Sequence, residues 1–221
     1  MGFEETVIHC SAPALCGIKP ASLFSLKNEF YSNNKSRLFS WRKNFSKDRR
    51  FFVILKKEDG RVLIFVYDKG LLEEVCSKKK NQEYLKTKGY EVEKGFNSIL
   101  SELLFRLAHE NSFPHETGLF LGYPLEDVIG FETQNARNCV FSGFWKVYGD
   151  KQAALDLMKK YRLCTEICMS WFRKGLSVPL AAQKYKKNGG KFMKTAIVYS
   201  STTGNTEQLA NAIKEIGRAH V

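Results

Sequence analysis

The amino-acid sequence predicts an α/β protein of the α+β type, with a small mixed or antiparallel sheet built on a β-hairpin and flanked by several helices. Two apolar runs, 51–55 and 62–67, are separated by Glu58-Asp59-Gly60, and an Asp-Gly pair tolerates the positive φ of a tight turn. Long segments with helical periodicity occupy 96–107 and 154–171. Hydrophobic residues make up 43% of the 221 residues, enough to form the core of one ordinary domain.

The first element is a short helix predicted within residues 6–26, with Gly17 near its end and Pro20 after it. It contains His9, Cys10 and Cys16, whose side chains can bind metals or react as thiols. Burial of small residues against the core explains them equally simply.

Residues 33–50 carry seven basic side chains and one acidic side chain. Leu38, Trp41 and Phe45 fall on one helical face, which predicts an amphipathic helix with an inward aromatic face and a solvated basic face. Basic residues interleaved with aromatics can also bind RNA or single strands, so a nucleic-acid-binding module through residues 35–50 is an alternative.

The strands of the hairpin are almost continuously apolar, so both faces of the sheet are expected to be covered. A charged, mostly helical segment follows at 70–88, and the strongest helix comes next and must stop before Pro114. Its apolar stripe consists of Phe96, Ile99, Leu100, Leu103, Leu104 and Leu107.

Further strands are predicted near 118–122 and 143–148, with a helix opened by Pro124 between them. A long helix then begins with Asp150 as its N-cap. Its apolar stripe is Ala154, Leu157, Met158, Tyr161, Cys164, Cys168 and Trp171.

Two groups of residues could carry chemistry. His115 and Glu116 lie in a predicted loop, where an imidazole beside a carboxylate can act as an acid–base pair near neutral pH, although a hydrogen-bonded loop histidine would look the same. Cys164 and Cys168 share one helix face. With His9, Cys10, His115 or Cys139 nearby they could form a soft-metal or thiol site, the metal itself being left open, whereas core packing is the simpler interpretation.

Several stretches of the chain resemble an uncharacterised bacterial family, domain of unknown function 3793, over about residues 5–180. The family implies no reaction; its members occur in anaerobic bacteria, often beside a flavodoxin-like gene. The sequence departs from the family pattern at Cys16, where a small residue is usual, so the resemblance implies no shared role for that thiol. The resemblance is carried by residues 9–11, 113–128, 145–150 and 160–165.

The segment from 196 to 214 is an apolar strand, a hydroxyl-rich loop and a helix-forming run, and it resembles the FMN-phosphate loop of flavodoxins. The resemblance implies that FMN phosphate would be bound by Ser201, Thr202, Thr203, Gly204, Asn205 and Thr206. A flavin domain needs roughly 100–150 residues. This fragment is therefore expected to be too short to bind FMN tightly.

The predicted organisation has four parts. Residues 1–182 form the α/β domain, 183–192 are a linker or a translated intergenic segment, and 193–214 are a truncated flavodoxin-like N-terminus. Residues 215–221 match one reading frame of a sequencing adapter and are interpreted as an artefact. A true fusion cut short is the rival explanation.

Composition narrows the function classes. The net charge of +12 permits anionic partners but does not establish nucleic-acid binding, which we do not favour. No apolar run reaches the roughly 18 residues of a membrane helix, and the N-terminus lacks the features of an export signal. Six cysteines in such a chain suggest reduced thiols and a cytoplasmic location.

These observations favour a redox-associated accessory domain linked to a flavodoxin or another redox protein. A small enzyme of unknown substrate that uses His115 and Glu116 is the alternative enzyme hypothesis, and the sequence leaves open whether the protein is an enzyme.

Overall fold

A three-stranded antiparallel sheet lies at the centre of the computed structural model, which describes residues 1–56, 60–110 and 112–196. Strand β3 (Arg61–Asp68) is the middle strand, with β1 (Ala21–Lys27) on one side and β2 (Arg50–Lys56) on the other. The register pairs Ala21 with Tyr67 and Arg50 with Asp68. The predicted hairpin is confirmed. Gly60 at its turn has a φ of 72°, a conformation that residues with a side chain rarely adopt.

Helices cover both faces of the sheet, as the continuous apolar strands predict. Alternate residues of β3 point to opposite cores: Val62, Ile64 and Val66 to one, and Leu63, Phe65 and Tyr67 to the other. The first core is completed by α1 (Phe3–Leu15), α2 (Asn28–Ser46), α8 (Lys151–Arg173) and α9 (Val178–Ala196). The second is completed by α3 (Lys69–Ser77), α4 (Lys79–Thr87), α5 (Phe96–His109), α6 (Thr117–Phe120) and α7 (Leu125–Thr133), with a 3₁₀ turn at Val92–Lys94.

The amphipathic helices follow their sequence patterns. In α2 the predicted inward residues Leu38, Trp41 and Phe45 are buried. In α8, Asp150 caps the first turn by accepting a hydrogen bond from the Ala153 amide at 3.0 Å, as predicted.

The expected strand at 118–122 is wrong, because this segment is the single helical turn α6. The Thr117 amide donates to the Pro114 carbonyl and the Gly118 amide to the His115 carbonyl, so the chain coils instead of extending. One turn is enough to bury both Leu119 and Phe120. A short apolar run does not distinguish a strand from a buried helical turn.

The predicted strand near 143–148 corresponds to a separate two-stranded hairpin, β4 (Phe141–Ser142) paired with β5 (Lys146–Val147). This hairpin packs on the first half of α8, where Trp145 and Val147 contact Met158 and Tyr161 in a third, small core.

Helix α9 runs through residues 183–192, the predicted linker. Tyr185 is 1% exposed within the first core, and Lys186 Nζ pairs with Asp48 Oδ1 at 2.6 Å. The apolar face of α9 continues past residue 182. The helix therefore still packs on the first core at positions where composition predicts the end of the domain. The flavodoxin-like loop at 201–206 and the terminal segment 215–221 lie outside the described residues.

Candidate functional site

Three cysteines meet where α1 packs against α8. Cys164 and Cys168 lie one turn apart on the buried stripe of α8, and Cys16 is the residue that ends α1. The Cys16 amide donates to the Ala12 carbonyl at 2.8 Å, so its side chain is held by the last turn of the helix. The contact between two helices far apart in the sequence therefore brings the thiols together.

We call these three residues the thiol cluster. All three are buried: Cys16 is 3% exposed, Cys164 0% and Cys168 2%. Their sulfur atoms all lie within 4.8 Å of one another, and Cys16 Sγ is 3.5 Å from Cys168 Sγ. Within residues 1–56, 60–110 and 112–196, no other group of three or more His, Cys, Asp or Glu side chains is placed to share a metal ion.

The thiols of the cluster differ in acidity. Hydrogen bonds from the Cys16 and Cys164 thiols lower the pKa of Cys168 to about 5, outweighing its burial. Burial and the two neighbouring thiols raise the pKa of Cys164 well above its ordinary value. Cys168 is therefore the thiol of the cluster that ionises most readily, and the other two thiols are placed to donate hydrogen bonds to it.

Two polar groups border the cluster. The Tyr185 hydroxyl is buried and makes no hydrogen bond to any described residue, and burial raises the pKa of Tyr185. The hydrogen bond with Cys164 lowers the pKa of Cys16, but the hydrogen bond with Cys168 and burial outweigh it, so this pKa is raised above its ordinary value. On the other side of the cluster, the Arg50 guanidinium opposes this rise only weakly. Its Nε donates to Asp68 Oδ2 at 3.2 Å. Gly17, with a φ of 72°, lets this guanidinium approach the backbone beside Cys16.

The cluster has the dimensions of a site for one thiophilic ion. At a metal–sulfur distance of about 2.3 Å, three sulfurs around one ion lie roughly 3.8–4.0 Å apart. The observed separations, 3.5 Å between Cys16 and Cys168 and at most 4.8 Å for the other pairs, bracket this range and require only small movements of the sulfur atoms. Binding a divalent or monovalent ion as three thiolates would displace the protons of the two neutral thiols.

The structure brings together only part of the predicted metal or thiol set. Cys164 is in the cluster, whereas His9 is exposed and Cys10 is half-buried, and both line a small cavity outside the cluster. Cys139 is half-buried near Tyr148. Cys16 was not predicted as a partner of Cys168, because 152 positions separate the two residues and no local spacing links them.

His115 and Glu116 lie in different surroundings. The Glu116 carboxylate is buried and accepts hydrogen bonds from Arg106 Nη1 at 3.0 Å and Tyr90 Oη at 3.1 Å. His115 is exposed, packs edge-on against Phe131 and lines a cavity of about 640 Å³. Glu116 is therefore the buried partner of the half-buried Arg106, and His115 is the residue of the pair that faces the cavity.

Comparison with known proteins places the chain in a family. Residues 7–180 match the family model described as "Protein of unknown function (DUF3793)". The chain belongs to this family. No curated protein and no solved structure matches it.

The DUF3793 match contains all three cysteines of the thiol cluster as well as His115, and it ends a few residues into α9. Tyr185, which borders the cluster, lies just beyond the matched span. Within the described part of this DUF3793 protein, no helix combines the length and apolarity needed to cross a bilayer.

Proposed function

We propose that this DUF3793 protein is a redox-associated accessory protein that works with a flavodoxin, and that the thiol cluster is its working centre, holding one thiophilic metal ion. The FMN belongs to the partner in this proposal, and the chain itself contributes the metal site.

The convergence of Cys16, Cys164 and Cys168 is the observation that carries the proposal. An isolated buried cysteine is a common core residue, and the chain contains one for comparison. Cys76 is 3% exposed on the opposite face of the sheet, and burial raises its pKa to about 12. Cys168 is equally buried but has a pKa lowered to about 5. Core packing alone does not require three thiols at one point or a stabilised thiolate among them.

Two features support a flavodoxin as the partner. The segment 193–214 resembles the start of a flavodoxin, and the family resemblance associates such genes with this one. The net charge of +12 would also accelerate association with an acidic protein. A metal ion held by sulfur ligands is a chemically suitable neighbour for a flavin that exchanges electrons.

Metal titration of the reduced protein tests the centre. The full chain is purified without oxygen and titrated with Co²⁺ and with Zn²⁺, and bound metal is measured by mass spectrometry. We expect one ion per chain and intense near-ultraviolet thiolate-to-cobalt absorption, both lost in Cys164→Ser. The matched control Cys76→Ser should retain them. The proposed metal centre is ruled out if the wild type binds no metal, or if Cys164→Ser binds metal as the wild type does.

A second measurement tests the partnership. Metal-loaded protein is mixed with reduced flavodoxin in the absence of oxygen, and reoxidation of the flavin is followed by absorbance alongside co-elution of the two proteins. We expect complex formation, and we expect reoxidation of the flavin hydroquinone to the semiquinone when the protein carries Fe³⁺ or Cu²⁺, which accepts the one electron and becomes Fe²⁺ or Cu⁺. If neither occurs although the metal binds, the flavodoxin role is wrong and the metal site stands alone.

The cavity that includes His115 supports a small enzyme as the second candidate function. Apolar and aromatic side chains line most of it, as in many small-molecule sites. Glu116 is already engaged with Arg106, so His115 would act without it. The nucleic-acid alternative is not proposed, because two of the three aromatic residues within 35–50, Trp41 and Phe45, are buried and leave only Phe39 to stack on bases.

A further inference from the structure

A small pocket lies between the end of α1, the start of β1 and the middle of α8, outside the thiol cluster. Its volume is about 170 Å³, and it opens beside the larger cavity of about 640 Å³ that contains His115. Tyr123, Phe144 and Trp145 line both spaces, so the two are neighbouring compartments. The polar residues of the small compartment are His9, Cys10, Lys19, Ser22, Tyr123, Tyr161 and Thr165.

Lys19 brings a cation into this pocket without a matching acid. Its Nζ lies 5.7 Å from the centre of the Tyr123 ring and 5.4 Å from the centre of the Tyr161 ring. No carboxylate among the described residues forms an ion pair with it. Two aromatic faces attract an ammonium group but do not replace the hydrogen bonds that it loses on burial. Burial lowers the pKa of Lys19 to about 8, so the amine is still mostly protonated at neutral pH.

Ser22 adds a second unsatisfied group to the same pocket. The residue is 2% exposed, and its Oγ makes no hydrogen bond to any described residue. A buried hydroxyl without a partner is uncommon and costs stability, so its presence calls for an explanation. An unpaired cation and an unpaired hydroxyl donor in one cavity are complementary to an anion.

The aromatic wall between the compartments is fixed in place. The Tyr123 and Trp145 rings stack with centroids 4.6 Å apart and an interplanar angle of 18°. Trp145 Nε1 donates to Asp127 Oδ2 at 2.7 Å, and the amides of Tyr148 and Gly149 donate to Asp127 Oδ1. The carboxylate of Asp127 is therefore fully engaged and does not provide the acid that Lys19 lacks.

Backbone geometry also sets the position of Tyr123. Gly122 has a φ of 82°, and a Cβ added there would lie 2.7 Å from Cδ of Pro20, which directly follows Lys19. Only glycine allows the two segments to approach so closely in this conformation. The close approach holds the Tyr123 ring against Lys19.

From these contacts we infer that the two compartments bind a small organic anion. Its carboxylate or phosphate group lies between Lys19 Nζ and Ser22 Oγ, and its planar apolar body lies against the Tyr123–Trp145 wall in the larger cavity. The size of each compartment matches this division, because the smaller holds little more than a head group and the larger is the size of ordinary small-molecule sites.

Calorimetric titration with four probes tests the inference independently of the metal site. The probes are naphthalene-2-carboxylate, 2-naphthyl phosphate, uncharged naphthalene-2-carboxamide and inorganic phosphate, added to the full chain. We expect at least one naphthyl anion to bind at least tenfold more tightly than the amide and than inorganic phosphate. The stronger of the two anions identifies the head group as carboxylate or phosphate.

Two variants and a control complete the experiment. Lys19→Met should weaken anion binding at least tenfold and Ser22→Ala several-fold. Lys159→Met, which removes an exposed lysine of α8 that does not line the pocket, should leave anion binding unchanged. The inference is overturned if the amide binds as well as the acids, if no naphthyl anion binds, or if Ser22→Ala and Lys19→Met both bind like the wild type. The probe comparison and Ser22→Ala keep the test decisive should Lys19→Met fail to fold.

Discussion

Replacing Lys19 with methionine should stabilise the protein at neutral pH. The side chains have similar size, so the change mainly removes an amine that is desolvated without an acidic partner. At ~1.4 kcal/mol for each pKa unit, the drop from 10.5 to about 8 corresponds to ~3 kcal/mol. Because Lys19 is not fully enclosed and retains two tyrosine faces, we expect a gain of about 1–2 kcal/mol in the free energy of unfolding.

The dependence on pH distinguishes this cause from better packing. The folded state releases the Lys19 proton near pH 8, whereas the unfolded chain keeps it to about pH 10.5, so the cost of Lys19 is complete below pH 8 and falls as the pH rises between these values. Urea unfolding of the wild type and of Lys19→Met at pH 7 and pH 9.5 measures the difference in their free energies of unfolding. The advantage of Lys19→Met should shrink at the higher pH. The reasoning is refuted if Lys19→Met is less stable than the wild type at pH 7, or if it is more stable by the same amount at pH 7 and pH 9.5.

Three further predictions concern stability and are measured by urea unfolding. Glu116→Gln should lower the free energy of unfolding by about 2–3 kcal/mol, because it removes a buried charge that is paired with Arg106. Glu102→Gln removes a more exposed partner of the same arginine and should lower it by less than about 1 kcal/mol; equal losses would contradict the buried role of Glu116. Gly122→Ala should lower the free energy of unfolding by about 2–3 kcal/mol, because φ is positive there and the added Cβ would meet a proline ring. Gly175→Ala should lower it by about 1 kcal/mol, because φ is also positive but the space around the residue is open. Tyr185→Ala should cost about 3–4 kcal/mol and Tyr185→Phe less than about 1 kcal/mol; a neutral Tyr185→Ala would mean that α9 does not belong to the core.

Local patterns were sufficient for much of the fold. Residues close together in the sequence determine several elements. These are the hairpin of β2 and β3, the helices α5 and α8, and the Asp150 cap. Strand β1 was missed because its pairing with β3 joins segments about 40 positions apart, and the helix signal before it extended over its residues. Its sequence alternates polar and apolar residues weakly, so the strand depends on the free edge of β3.

The candidate site was less predictable than the fold. The sequence showed that Cys164 and Cys168 share a helix face, but the position of Cys16 depends on how α1 packs against α8. Lys19 carried no signal at all, because nothing in a sequence distinguishes an unpaired buried lysine from a solvated one. Burial and pairing are tertiary properties, and the functional interpretation of both sites rests on them.

The central claim is that the three thiols form one metal site, and X-ray absorption spectroscopy of the zinc-loaded protein tests it most directly. We predict three sulfur neighbours at about 2.3 Å from the zinc, falling to two in Cys16→Ser and remaining three in Cys76→Ser. A spectrum dominated by nitrogen and oxygen neighbours, or one unchanged in Cys16→Ser, would contradict the account.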